Sequence, residues 1–162
     1  MLFVWVIFVL FPLATLLHEL GHFITARSFR ADNTRIILGI GPILFRVSNR
    51  FINIEVHALY FIRGYTIGVE SNELPNLQKA LISVNGPLIN AVVGCYGWMY
   101  AENLPFESTN GQLIFLFSMV NIWIAAGNLV PFKLGSKKSD GFIALEMLMK
   151  YIKAITQKGA KS

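Results

Sequence analysis

Three long apolar segments constrain this chain more than any other feature. They cover residues 2–29, 80–101 and 113–130, and the last two contain no charged residue. A helix needs about 20 mostly apolar residues to cross a bilayer, so each segment is close to or above that length. Charged residues make up only 14% of the 162 residues, against about 25% in an average globular domain. We therefore predict an integral, multi-pass membrane protein with a core of three transmembrane helices.

The basic residues predict the orientation of these helices. All 14 Lys and Arg lie in residues 27–79 or 133–161, and the loop between the second and third segments carries only acidic charges. The positive-inside rule then places the N-terminus outside and the C-terminus in the cytoplasm, on opposite sides as three spans require. The first basic residue, Arg27, follows the apolar run, which is not the pattern of a secretory signal peptide. We expect the cell membrane of a prokaryote.

The remaining segments predict a small sheet and a further helix. Residues 34–70 have strand character: in residues 52–58 apolar side chains alternate with Asn53, Glu55 and His57. An open sheet edge cannot face lipid, so this sheet must lie at the membrane surface or against protein. Residues 141–156 show the spacing of an amphipathic helix at the cytoplasmic surface, with Phe142, Leu145, Met149 and Ile152 on one face. We expect one domain over residues 1–162.

A short polar motif interrupts the first apolar segment. The stretch TLLHELGHFITA places His18, Glu19 and His22 close together. Side chains four residues apart project from one face of a helix, so the two imidazoles can bind a single ion. Glu19 is rotated by about 100° from His18 and can reach a water molecule on that ion. This is the H-E-x-x-H arrangement of zinc metalloproteases, and ionisable residues inside a membrane usually mark a functional site.

A catalytic zinc site needs a third protein ligand. The single cysteine, Cys95, excludes a cysteine-built site, so the ligand must be His, Asp or Glu. Asp140 is the best-placed candidate, because it follows the third segment on the side where His18 and His22 lie. His57 is a further polar candidate, although a strand histidine is more often structural. The other acidic residues of that side have the character of solvated residues: Asp32, Glu55, Glu70, Glu73 and Glu146.

Three motifs together resemble a known family. HELGH in the first segment, NGPLIN in the second and NLVPFKLGSKKSDGF at the end of the third are similar, in this order, to those of the site-2 protease family of intramembrane zinc metalloproteases, peptidase family M50. The chain resembles a minimal core form of that family. FIRGYTIG is similar to the strand with which the family holds its substrate in extended form. In one respect the chain departs from the pattern, since nine positions separate Pro131 from Asp140.

The resemblance implies a site and an activity. His18, His22 and Asp140 would bind one zinc ion per chain, with Glu19 as the catalytic base. The resemblance also implies that Asn90 and Asn128 contact the substrate backbone or the developing oxyanion. The implied activity is hydrolysis of transmembrane or membrane-inserted peptides near the cytoplasmic face.

Two alternatives stay open. One is a proteolytically silent, zinc-containing membrane-binding or chaperone-like module, against which the intact Glu19 argues. The other is a membrane zinc protease whose third ligand is a glutamate, in which case Glu146 replaces Asp140. Besides the substrate and the lipid bilayer, we expect homo-oligomers or regulatory membrane proteins as partners. The aromatic and basic interleaving of a nucleic-acid binder does not occur in the sequence.

Overall fold

The structure, a computed structural model, describes residues 2–31, 33–68 and 74–159, except for the side chains of residues 158 and 159. Three helical segments are long and apolar enough to cross a membrane: Leu2–Ser28, Asn76–Ala101 and Thr109–Leu129. They overlap the three predicted segments and confirm their number. The second and third begin before the predicted positions, because polar residues such as Lys79 and Gln112 occupy their first turns.

The first span is one continuous helical run with an irregular turn. It consists of α1 (Leu2–Trp5), a π-helical segment (Val6–Leu10) and α2 (Phe11–Ser28). Pro12 has no N–H group to bond the carbonyl of Phe8, four residues earlier. The hydroxyl of Tyr60 donates a hydrogen bond to that carbonyl over 3.1 Å. The irregular turn therefore binds the loop that precedes the last strand of the sheet.

The second and third spans are α3 (Asn76–Ala101) and α4 (Thr109–Leu129), and α3 packs against both α2 and α4. Gly94 allows α3 and α4 to approach closely. A Cβ atom at Gly94 would lie 2.7 Å from Cγ1 of Ile122 and 3.0 Å from the carbonyl oxygen of Ser118. Small residues at such positions let membrane helices pack closely.

A four-stranded sheet, of order β2-β3-β1-β4, connects the first two spans. Its strands are β1 (Arg35–Leu38), β2 (Ile43–Ser48), β3 (Asn53–His57) and β4 (Gly64–Ile67). β1 pairs with β3 in parallel and with β4 in antiparallel orientation. β4 is therefore an edge strand with one free side in the described part of the chain. Of the predicted strand region, Val69 and Glu70 lie outside the described residues.

The two faces of the sheet have different surroundings. Ile36, Leu38 and Val56 pack with Phe23 of α2 in a buried apolar cluster. On the other face Glu55 is only 5% exposed. Its carboxylate accepts hydrogen bonds from three basic side chains: Arg35, Arg46 and His57. The predicted alternation along β3 is correct, but the prediction that Glu55 is solvated is wrong, because these three side chains cover it.

A short hairpin follows α4. β5 (Lys133–Leu134) pairs antiparallel with β6 (Lys137–Lys138). Gly135 in the turn has φ +61°, in the left-handed region that glycine adopts without strain. The hairpin brings the chain back towards the end of α4, where the last helix begins.

The last helix, α5 (Asp140–Gly159), packs against α3. Its bounds extend the predicted helix, residues 141–156, by one residue at the N-terminal end and three at the C-terminal end. Leu145, Met149 and Ile152 of the predicted apolar face are 46%, 49% and 53% exposed. Ile143 and Met147 instead face the interior of the protein, towards a cavity described below. Contact of the exposed face with the membrane surface stays a prediction.

Candidate metal centre

Two imidazoles of α2 meet at the centre of the candidate site. His18 and His22 are four residues apart, and both are buried. Their Nε2 atoms lie 3.1 Å from each other. The helical repeat predicted this pair, since residues at i and i+4 lie on one face.

Hydrogen bonds from α3 set the tautomer of both rings. Nδ1 of His18 lies 2.7 Å from Oδ1 of Asn90, and Nδ1 of His22 lies 2.8 Å from the carbonyl oxygen of Ile82. The amide nitrogen of Asn90 already donates to Asn121 and to the Ala14 carbonyl, so its oxygen faces His18 as an acceptor. Both Nδ1 atoms therefore donate. Each Nε2 is left with a lone pair, which is the form that binds metals.

Asp140, the first residue of α5, supplies the third group. Its Oδ2 lies 3.0 Å from Nε2 of His18 and 3.5 Å from Nε2 of His22. Burial alone would raise the pKa of Asp140, but without a metal ion an imidazole Nε2 can carry a proton and donate it to Oδ2, and these contacts outweigh burial and lower that pKa to about 2. The carboxylate is therefore ionised, as a metal ligand must be.

The donor set fits a zinc ion. Three acceptor atoms that face one another at 3.0–3.5 Å repel unless a proton or a metal cation lies between them. Tetrahedral zinc, with bonds of about 2.0–2.2 Å, holds its ligand atoms about 3.3 Å apart. A glycine also keeps space beside the cluster, since a Cβ at Gly86 would lie 2.4 Å from Nε2 of His22. Two nitrogens and one carboxylate oxygen leave a fourth position for water or substrate.

Glu19 lies beside this cluster and is held by β4. The hydroxyl of Thr66 donates to Oε2 of Glu19 over 2.7 Å. Among the described residues, Oε1 has no hydrogen-bond partner. The side chain lines two cavities that meet at the site. Gly64 allows this approach, because a Cβ there would lie 2.9 Å from Cγ of Glu19.

The two asparagines implied by the resemblance lie in different places. Asn90 is fully buried behind His18, and all its polar groups are bonded to protein. This placement favours orientation of His18 over contact with substrate. Asn128 lines both cavities, and its only hydrogen bond within the described residues goes from Nδ2 to the carbonyl of Ile124. Its amide group can therefore reach a ligand.

Ser139 closes the long connection between Pro131 and Asp140. Its hydroxyl donates to the carbonyl of Val130 over 2.7 Å and accepts from the N–H groups of Phe132 and Phe142. These bonds tie the two ends of the β5–β6 hairpin together at the start of α5. The extra residues of this connection thus form a hairpin that leaves Asp140 beside the imidazoles.

The other candidate ligands that the structure describes lie apart from the cluster. Glu146 is bound by Lys138 and Lys150, and these ion pairs lower its pKa to about 2. His57 contacts Glu55 and the carbonyl of Gly41 on the far face of the sheet. Three remaining acidic candidates lie outside the described residues: Asp32, Glu70 and Glu73. Within the described residues, His18, His22 and Asp140 form the one group of three whose ligand atoms all lie within 4.8 Å of one another.

Sequence reasoning missed three supporting residues. Thr66 had a usable signal, since it lies two positions after Gly64 and therefore on the same side of a strand. Asn121 lies in the third apolar segment, but its bond to Asn90 depends on how two helices pack. Ser139 precedes a helix, which is the position where serine caps helices.

Comparison with known proteins gives two findings. The family model described as Peptidase family M50 matches residues 5–109. A protein of Thermotoga maritima named "Putative zinc metalloprotease" is 30% identical over 94 residues, which cover 49% of this chain and 19% of that protein. The match thus spans about a fifth of that relative. The family match includes the HELGH motif and Asn90, whereas Asn128 and Asp140 lie beyond it and are placed by the structure.

Proposed function

The chain belongs to peptidase family M50, and we propose that it is a membrane-embedded zinc metalloprotease that hydrolyses transmembrane or membrane-inserted peptides. The observation that carries the proposal is the convergence of two Nε2 lone pairs and one carboxylate oxygen beside Glu19. A site with a fourth, open position and an adjacent carboxylate suits hydrolysis, whereas a purely structural zinc site is closed and has no use for a base.

His18, His22 and Asp140 would hold one zinc ion per chain. When bound, zinc lowers the pKa of a water molecule and polarises the substrate carbonyl. Glu19 would accept a proton from the attacking water at Oε1, because Oε2 is held by Thr66. Glu19 would then donate that proton to the leaving nitrogen. Asn128, which lines both cavities, would donate an N–H group to the oxyanion.

The free side of β4 would bind the substrate backbone. β4 is paired only with β1 among the described strands, and its Gly64, Tyr65 and Thr66 line the cavity at the site. An extended peptide can add to such an edge through main-chain hydrogen bonds. A transmembrane helix bonds its own backbone groups internally, so it would have to unwind before it could bind there.

The orientation of the protein follows from its charges. Basic residues flank the ends of the first and third spans, so these ends would face the cytoplasm, with the N-terminus outside. The candidate site would then cleave near the cytoplasmic face of a prokaryotic cell membrane. Homo-oligomers or regulatory membrane proteins stay predicted partners.

The test combines zinc content with peptide cleavage by the purified protein in detergent or vesicles. We expect about one zinc per chain and cleavage of a membrane-spanning peptide. Glu19→Gln should keep the zinc and lose the cleavage, because the base is removed and the ligands are not. Asp140→Ala should lose both. Cleavage by Glu19→Gln at the parental rate would contradict the role of Glu19.

Glu146→Ala is the matched control for Asp140→Ala. Glu146 lines the same cavity, but its carboxylate is bound to two lysines. We therefore expect the Glu146→Ala variant to keep its zinc. Loss of zinc in Glu146→Ala with retention in Asp140→Ala would establish the protease with a glutamate third ligand. Stoichiometric zinc in a parent protein that cleaves no membrane peptide would support the silent module instead.

A further inference from the structure

A wide cavity contains the candidate metal centre and extends beyond it, and its outer part has no role in the chemistry proposed above. It has a volume of about 790 Å³ and reaches from His18 and His22 out to the charged ends of the helices. Beyond the residues of α2 and α4 at the metal centre, four parts of the chain form its walls: β4, the first turns of α3, the β5–β6 hairpin and α5. Any peptide bound along β4 would pass through this cavity on one side of the site.

The walls of this cavity carry many cations. Lys138 and Lys150 both pair with Glu146, and these three side chains together keep one net positive charge. Three more cationic side chains line the cavity without an acidic partner within 4 Å among the described residues: Arg63, Lys79 and Lys137. They come from three different parts of the chain. Like charges that face one cavity raise its positive potential, and low-dielectric walls strengthen this effect.

The cavity on the other side of the site has a different character. It has a volume of about 220 Å³, and its apolar lining includes Phe11, Ile62 and Ile124. The site lies at the junction of the two cavities, because five residues line both of them: His18, Glu19, Arg63, Gly64 and Asn128. Of the three cationic side chains without an acidic partner among the described residues, Lys79 and Lys137 line the wide cavity alone. An extended peptide along β4 would therefore have one end in an apolar pocket and the other in the basic cavity.

We propose that the basic cavity selects substrates that carry acidic side chains on the flank that leaves the membrane. This inference rests on the proposed function and adds a substrate class to it. An acidic flank would be attracted by Arg63, Lys79 and Lys137, and a basic flank would be repelled by them. Specificity would thus have an attractive and a repulsive component.

The occupant is a peptide because of what else lines the cavity. The free side of β4 offers main-chain groups in the same wall as the lysines, and a peptide backbone can pair with them. A lipid headgroup would use the cations alone.

The experiment measures binding of three fluorescent peptides to Glu19→Gln protein in neutral detergent. The peptides share one apolar segment and differ in the flank, which is rich in Asp and Glu, in Ser and Asn, or in Lys and Arg. We expect the acidic peptide to bind about tenfold more tightly than the basic one at low salt. The difference should shrink as salt is added, because exposed charges are screened.

Charge reversal assigns the effect to the cavity. Lys79→Glu combined with Lys137→Glu should remove or invert the preference, and Lys79→Gln with Lys137→Gln should weaken it. The matched control combines Lys133→Glu and Lys153→Glu, which change the net charge equally on β5 and α5 but do not line the cavity. Zinc content verifies that each variant is folded. Equal binding of the three peptides, or an equal effect of the control pair, would overturn the inference.

Cleavage of the same peptides by the parent protein separates this inference from the proposed function. If all three are bound and cleaved equally, the protease assignment holds and the acidic preference is wrong. If the acidic peptide is preferred but none is cleaved, the preference stands without the protease. Binding to vesicles with and without phosphatidylglycerol tests whether the cavity binds an anionic lipid headgroup instead of a peptide. An effect of the Lys79 and Lys137 variants on vesicle binding alone would contradict a peptide occupant.

Discussion

Asn90 and His18 are 72 residues apart in the chain, on two different spans, and are joined by a hydrogen bond of 2.7 Å. The bond fixes the imidazole ring with Nε2 towards Asp140 and His22. The side chain of Asn90 is itself fixed, because its amide nitrogen donates hydrogen bonds to the carbonyl of Ala14 and to Oδ1 of Asn121. This buried polar network includes residues of all three spans, and together they fix the orientation of one candidate metal ligand, His18.

Asn90→Leu tests this network. The substitution keeps a similar volume but leaves the Nδ1–H group of His18 without an acceptor, so we expect zinc affinity to fall by about 10- to 100-fold. Competition with a chromophoric chelator measures the affinity. The control is Asn128→Leu, which should leave zinc affinity unchanged and lower the rate of cleavage. Equal zinc loss in both variants would contradict the separate roles of the two asparagines.

Gly86→Ala tests the space beside His22. An added methyl group would lie 2.4 Å from Nε2 and 2.5 Å from Cε1 of that ring, so the ring must move away from its ligand position. We expect the purified variant to contain little zinc by elemental analysis. Gly127→Ala in α4 is the matched control, since a Cβ there meets nothing within 4 Å and alanine favours a helix by about 1 kcal/mol. Full zinc content in Gly86→Ala would show that the ring can be displaced without loss of binding.

Periodicity explains which parts of this site were predictable. The spacing of His18 and His22 alone determines that they share a helix face, so the sequence predicted the pair. Asp140 was predicted from its position after the third apolar segment. Asn90 was also recognised, but whether its side chain faces His18 or the substrate depends on the rotation of α3 against α2. No local pattern in the sequence contains that rotation.

The same limit of sequence-based prediction applies to the fold. Three apolar segments predicted three spans because length and composition suffice for that inference. The β5–β6 hairpin was missed, because strands of two residues are too short to show an alternating pattern. Glu55 was assigned to solvent because the sequence does not reveal that Arg35, Arg46 and His57 converge on it from three strands or strand ends.

Ser139→Ala tests whether the hairpin positions Asp140. The hydroxyl caps α5 and ties Val130 to Phe132, so its loss should destabilise the protein by about 1–2 kcal/mol. Because Asp140 is the next residue, zinc affinity should fall at least about tenfold, as for other outer-shell losses. Chemical unfolding and chelator competition measure the two effects. Ser136→Ala, in the hairpin turn, should change neither the stability nor the zinc affinity. Unaltered zinc affinity in Ser139→Ala would show that α5 positions Asp140 without the hairpin.

The carboxylate of Glu55 should make the stability of the sheet depend on pH. Burial alone would raise the pKa of Glu55, but the hydrogen bonds and charges of Arg46, His57 and Arg35 outweigh burial and lower it below its ordinary value of 4.5. A carboxyl whose pKa is lowered on folding stabilises the folded state above its unfolded pKa. That contribution is lost as the pH falls through the folded pKa.

Glu55→Gln should therefore lower the midpoint of thermal unfolding at about pH 7, where the parent protein keeps its ion pairs. The difference between variant and parent should shrink as the pH falls below 4.5 and through the folded pKa, because the carboxyl group is protonated first in the unfolded and then in the folded parent protein. Thermal unfolding of both proteins in one detergent, from about pH 7 to below pH 4.5, measures this difference. Glu107→Gln is the control, since Glu107 is exposed and makes no ion pair with any described residue. A difference between Glu55→Gln and parent that stays constant with pH would mean that Glu55 stabilises the sheet through its shape and hydrogen bonds, and not through its charge.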